Sequence, residues 1–99
     1  MNITIQKSND MVLVSIEGNI ESTTIRPFTD EIENILNYNK NVRIDLAAAH
    51  YIDSSGIRAL LTLMKKLKEN GKTLVIINSS ENIKRILQLS SLQEVLKFS

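Results

Sequence analysis

The feature that most limits this fold is a hydrophobic period that switches repeatedly along the chain. Residues 42–46 alternate: Val42, Ile44 and Leu46 share one side and Arg43 and Asp45 the other, the period of a strand. Beyond them Ile57, Leu60, Leu61, Met64 and Leu67 recur at helical spacing, with Lys65, Lys66, Lys68 and Glu69 off the stripe. Gly71 then offers a helix C-cap. Leu74, Val75, Ile76 and Ile77 form a short, wholly apolar run, as expected of a strand in a sheet covered on both faces. A strand, a helix and a strand in close succession make a βαβ unit, whose right-handed crossover lays the two strands parallel.

The flanks extend the alternation. Ile3 and Ile5 share one face of a first strand over residues 1–6. Ser8-Asn9-Asp10 is a turn cluster. Val12, Val14 and Ile16 then face one way and Met11 and Leu13 the other, so the two segments are predicted to pair as a hairpin, with Gly18 ending the second strand. Thr23 or Thr24 is the expected N-cap of a helix with Pro27 in its first turn, where a missing N–H matters little. Phe28, Ile32, Ile35 and Leu36 line its inner face, with Asp30, Glu31 and Glu33 outside, and residues 37–41 form a polar stop. Ser79 or Ser80 is expected to cap a third helix carrying Ile83, Ile86, Leu87 and Leu89. Residues 92–98 read as a last short strand. The predicted order is β-β-α-β-α-β-α-β: an α/β fold with a mixed, mainly parallel sheet and an N-terminal β-hairpin. No internal repeat, low-complexity tract or linker divides it, so residues 1–99 are expected to form a single domain.

Composition excludes several functions. The chain has 99 residues, 42% hydrophobic, and no cysteine, so neither a disulfide scaffold nor a thiolate metal site is available. No apolar run approaches the ~20 residues of a membrane helix, and the N-terminus lacks the shape of a signal peptide. With 12 basic and 11 acidic residues the formal net charge is +1, and the only aromatics are Phe28, Tyr38, Tyr51 and Phe98. No basic-aromatic platform for nucleic acid is present. The three glycines are far apart, so there is no glycine-rich phosphate loop. His50 is the only histidine, expected in a half-exposed loop, and supplies a single metal ligand at most. Ser54, His50 and Asp53 lie too close in sequence to present a nucleophile, a base and an orienter in line. An enzyme is not expected, nor a cofactor or metal.

Asp53-Ser54-Ser55-Gly56 stands apart, because it follows the alternating strand and opens the clearest helix. Asp53 or Ser54 can accept a bond from a first-turn N–H, and Asp53 lies favourably at the positive end of the helix dipole. Gly56 is expected to leave the turn uncovered, open to another backbone. Sites in open α/β sheets form at such carboxyl ends of strands. On these grounds alone the segment reads as a helix cap.

Val42-Arg43-Ile44-Asp45-Leu46 followed by Tyr51-Ile52-Asp53-Ser54-Ser55-Gly56-Ile57 resembles the signature of the STAS-domain anti-anti-sigma factors, or anti-sigma factor antagonists. Gly18-Asn19-Ile20-Glu21 resembles the family's Gly-Glu-Leu-Asp segment. Gly71-Lys72 leading into the apolar strand, and Ser90-Ser91-Leu92 with Val95-Leu96-Lys97-Phe98, resemble its later segments, so nearly the whole chain is covered. The resemblance implies a STAS-like fold with three or more helices. It implies a cytoplasmic bacterial phosphoprotein that regulates transcription by partner switching. Unphosphorylated, it would bind a serine-kinase anti-sigma factor and free the sigma factor. Phosphorylation of the serine after the motif aspartate, here Ser54, would end the binding, and a protein phosphatase would restore it. The implied partner-binding residues are Asp53, Ser54, Ser55, Gly56, Ile57, Arg58 and Glu21.

Three departures bear on this reading. Arg58 stands where the family usually has glycine, one helical turn beyond Ser54, near enough to pair with a phosphate there. Glu21 stands where the family often has aspartate. The sequence reaches only Ser99, where many members continue into another helix, so an apolar patch is expected to stay less covered and to favour self-association, the expected state being a monomer or weak dimer. The alternative function is a non-phosphorylated STAS adaptor subunit of a transport or signalling assembly, which does not need the Ser54 hydroxyl.

Overall fold

The computed structural model describes residues 1–89, 97 and 98. The elements are β1 (Asn2–Lys7), β2 (Met11–Ile20), α1 (Arg26–Asn37), β3 (Asn41–Ile52), α2 (Ser54–Glu69), β4 (Leu74–Ile77), α3 (Glu81–Leu89) and β5 (Lys97–Phe98). The order is the predicted one. Of the strand expected over 92–98, residues 92–96 lie outside the described residues. No helix of the described residues is long and apolar enough to cross a membrane.

The five strands lie in the sheet in chain order, with β1 antiparallel to β2 and the rest parallel. Consecutive parallel strands joined by right-handed crossovers place every connecting helix on the same side. The burial pattern agrees. Val12, Val42 and Leu74 align across the sheet, as do Val14, Ile44 and Ile76, and all six are buried. Their neighbours Leu13, Val75 and Ile77 on the other face are only half-buried. The expectation that Leu74–Ile77 lies in a sheet covered on both faces is therefore corrected: among the described residues this all-apolar strand has one helix-covered face and one without a helix layer.

Two other expectations change. The loop expected between residues 46 and 53 is strand, because β3 continues to Ile52 through a bulge. There Asp45 pairs with Ser15 but Ala48 with Glu17, and Asp45 Oδ1 accepts the Ala47 N–H at 2.9 Å, satisfying a donor near the interrupted ladder. Beyond the bulge Ala49 and Ile52 return to the core. Likewise β2 does not end at Gly18. That residue takes φ +96°, glycine territory, and the strand runs on to pair Ile20 with Ile52. The two strands thus end side by side.

The buried face of α2 is Gly56, Ala59, Leu60, Leu63 and Leu67, whereas Ile57, Leu61 and Met64 are half-buried. A stripe drawn through the largest side chains was rotated from the true face, since two of the inward positions are the small residues that let the helix approach the sheet. Helix α1 buries Phe28, Ile32 and Ile35, with Pro27 its second residue. Its N-cap is Ile25, without a side-chain cap bond; Thr24 instead serves the preceding loop, donating to the Asn19 carbonyl at 2.7 Å. Gly71 follows α2 at φ +72°, as its C-terminal position requires. Ser80 Oγ accepts the Ile83 N–H at 3.2 Å at the start of α3, which buries Ile83 and Leu87 but leaves Leu89 80% exposed.

Candidate functional site

The site is built where β2 and β3 end together and α2 begins. Asp53 is the N-cap, in extended backbone at φ −107° and ψ −173°, and its N–H donates to the Ile20 carbonyl at 3.0 Å. Its Oδ1 accepts the Ser55 N–H at 2.9 Å and the Gly56 N–H at 3.1 Å. Its Oδ2 accepts the Ser22 N–H at 3.0 Å, from the loop after β2. One carboxylate therefore caps a helix and holds a distant loop. Partial withdrawal from water pushes the Asp53 pKa up, but the bonds from Ser22, Gly56 and Ser55 outweigh this and leave it below the ordinary carboxylate range.

Of the two candidates for the cap, Asp53 fills that role. Ser54 is the first residue of α2 and is exposed. Of the first-turn N–H groups, Ser55 and Gly56 are held by the Asp53 side chain and Ile57 by the Asp53 carbonyl at 3.0 Å. Three of the donors at this helix start are thus already engaged. The Arg58 guanidinium, exposed one turn along, has no ion-pair partner among the described residues.

Gly56 does not leave the turn uncovered, as expected, but is buried. A Cβ on it would lie 2.7 Å from both Ile20 Cγ2 and Ile52 Cγ1 and 2.9 Å from the Ile20 carbonyl oxygen. The close backbone it admits is the chain's own. The glycine fixes the start of α2 against the ends of both strands.

The remaining expected residues gather here. Ser55 and Ile57 are half-buried beside Gly56. Glu21 lies in the loop that Asp53 holds; its Oε2 accepts from Asn19 Nδ2 at 3.4 Å, and its N–H donates to Thr24 Oγ1 at 3.2 Å. His50 is exposed, but on β3 and not in a loop, and its carbonyl accepts from Asn82 Nδ2 at 3.3 Å. It makes no hydrogen bond to Ser54 or Asp53. No cluster of three or more potential metal ligands exists among the described residues.

Sequence reasoning missed Ser22 and included Ile20 and Tyr51 only as members of the resembling segments, without a role. Ser22 contributes through its backbone N–H, which has no side-chain signature. Ile20 is the wall against Gly56, and an apolar residue just before a turn was the available signal. Tyr51 is 42% exposed beside the motif and pairs with Asn19 across the strands.

Residues 2–99 match the STAS domain family. The chain is 22% identical to the anti-sigma-B factor antagonist of Bacillus subtilis, over 100% of this chain and 91% of that protein. It is 27% identical to the anti-sigma-B factor antagonist of Staphylococcus epidermidis, over 97% and 90% respectively. The unphosphorylated anti-sigma factor antagonist SpoIIAA superposes with a TM-score of 0.82 at 15% identity, covering 99% of this chain and 88% of that one. The phosphorylated Bacillus SpoIIAA gives 0.75 at 15%, covering 99% and 91%. These structural likenesses show a common fold. With the family matched over nearly its whole length, its element order reproduced and the motif at the start of α2, this chain belongs to the STAS domain family.

Proposed function

We propose that this chain is an anti-sigma factor antagonist, a regulatory binding protein of the bacterial cytoplasm, with residues 1–99 acting as one unit. Unphosphorylated, it binds a serine-kinase anti-sigma factor and frees the sigma factor; phosphorylation of Ser54 ends that binding, and a phosphatase restores it. The observation that carries the reading is the exposed Ser54 beside a carboxylate whose oxygens already serve three N–H donors. The relatives' names support it, as does the existence of SpoIIAA in two phosphorylation forms.

The mechanism follows from charge. A phosphoserine adds about −1.5 to −2 charges at neutral pH. The dipole of α2 favours that charge, but the Ser55 and Gly56 N–H groups are occupied by Asp53, so much of it stays unneutralised at the surface. A partner contacting Asp53, Ser54, Ser55, Gly56, Ile57, Arg58 and Glu21 would then have to desolvate two adjacent anions. Arg58 is the side chain positioned to pair with the new phosphate. The fold need not change, because Ser54 is exposed and its hydroxyl makes no hydrogen bond among the described residues that the phosphate would displace.

The test is incubation with the candidate serine-kinase anti-sigma factor, ATP and magnesium, followed by mass spectrometry. Phosphate on Ser54, absent from Ser54→Ala, is the expected result. A chain that binds the kinase but is never modified at Ser54 would instead be a STAS adaptor.

A further inference from the structure

The opposite end of α2 carries a second feature. Met64, Lys65, Lys68, Lys72, Thr73, Leu74 and Lys97 line a cavity of about 450 Å³. It lies toward the far end of the 16-residue α2, so roughly 16 to 22 Å of helix separates its α2 residues from Asp53.

Four lysines line it, and none has an ion-pair partner among the described residues. The helix C-terminus attracts Lys68, but Lys72 follows α2 and Lys97 is on β5, where that dipole does not explain them. From Met64 to Leu74, Glu69 is the only acid, and residues 90–96 add only Glu94 in sequence. The surplus of positive charge is therefore local, in a chain whose formal net charge is only +1.

Chemistry narrows the occupant. A cavity of this size falls in the range of built binding sites and exceeds what one carboxylate or phosphate fills. Four lysines call for several negative charges, and the floor of Met64 and Leu74 calls for an apolar group. Among the described residues Thr73 is the only uncharged polar one in the lining and none is aromatic, which leaves a nucleotide base little there to bond or stack on. A bilayer surface is flat and does not fill a concavity, whereas a projecting side chain does.

We propose that this cavity docks an acidic peptide segment of a partner protein, seating one apolar side chain on Met64 and Leu74 with carboxylates against Lys65, Lys68, Lys72 and Lys97. The surface is separate from the Ser54 switch, so one partner can hold the chain here while another reads the switch.

The test is an NMR titration of the labelled chain with the peptide acetyl-Asp-Glu-Leu-Glu-Asp-amide at low salt. Amide shifts should concentrate at Lys65, Lys68, Thr73 and Leu74, with a Kd on the order of 1 mM or tighter. Affinity should fall at least threefold at about 300 mM salt, where screening is strong. It should fall about tenfold or more in the Lys68→Glu, Lys72→Glu double variant, and also, by less, in the Lys68→Gln, Lys72→Gln variant. Both should melt as the parent does, and Ser54→Ala should bind the peptide unchanged. Absent shifts, shifts mapping elsewhere, or equal binding of the peptide with glycine for leucine overturn the proposal. So does a response at these amides to ADP or phosphatidylglycerol vesicles without one to the peptide.

Discussion

The Asp53 carboxylate accepts the Ser22 N–H at 3.0 Å across 31 positions of sequence, while its other oxygen caps α2. Asparagine keeps one acceptor but offers an amide nitrogen in place of the second, so it can serve the helix or the loop and not both. Asp53→Ala should lower Tm by about 5 °C, as expected for loss of a helix cap in a domain this size. Asp53→Asn should fall between. Hydrogen exchange at the Ser22 amide should quicken in both, and an unchanged Ser22 amide would refute the clamp.

The same bonds set a pH dependence. The Asp53 pKa is lowered in the folded chain, so the unfolded chain binds the proton more readily. The stabilisation is fully present above the ordinary carboxylate pKa of about 4 and is lost as pH falls through the lower folded value. Urea unfolding from pH 6 down to 2 should show the stability gap between the parent and Asp53→Asn narrowing below about pH 4. A gap that widens there would contradict the assignment.

Gly56 and Gly71 should respond differently to alanine. At Gly56 the new Cβ meets two isoleucine side chains and a carbonyl oxygen, and side-chain repacking cannot move that oxygen. Gly56→Ala should cost about 1–3 kcal/mol by overpacking. At Gly71 nothing lies within 4 Å, and only the φ of +72° opposes a side chain. Gly71→Ala should cost about 1–2 kcal/mol from the left-handed backbone alone. Chemical denaturation gives both values. A second-site loosening of Ile52 should relieve the first in part and leave the second untouched.

Ser54 and Arg58 test the switch. Ser54→Asp should weaken kinase binding by at least about 1.4 kcal/mol, a factor of ten, without a matching loss of Tm. Ser54→Ala should bind but never switch off. In the phosphorylated chain Arg58→Ala should lower Tm more than in the unmodified chain, since it removes the phosphate's nearby cation. Equal effects in both forms would make Arg58 a bystander.

The alternating strands and helices were legible because half-buried strands and amphipathic helices each have their own period. Leu74–Ile77 could be placed as a strand from the residues alone, and the cap of α2 narrowed to Asp53 or Ser54. What was hidden depended on the backbone. Three small residues, Ala47, Ala48 and Ala49, gave no alternation to follow, so the bulged continuation of β3 looked like a loop. The Gly56 packing and the Ser22 bond involve a missing Cβ and a main-chain N–H, which leave no hydrophobic pattern. Ser54 as a modification site came from family resemblance, since an exposed serine at a helix start has no physical mark of its own.

Because the strands lie in the sheet in chain order, each new parallel strand joins a neighbour that precedes it in the sequence. No strand needs to wait for, or be inserted between, segments made later. Such an arrangement can be assembled from the N-terminus onward as the chain is synthesised, each helix closing over the strand pair it connects. Pulse-labelling of nascent chains should find the amides of β1 and β2 protected before β4 has emerged. The hairpin would thus be the template on which β3 and the helix start that bears Ser54 are laid down, before β4 and β5 complete the sheet.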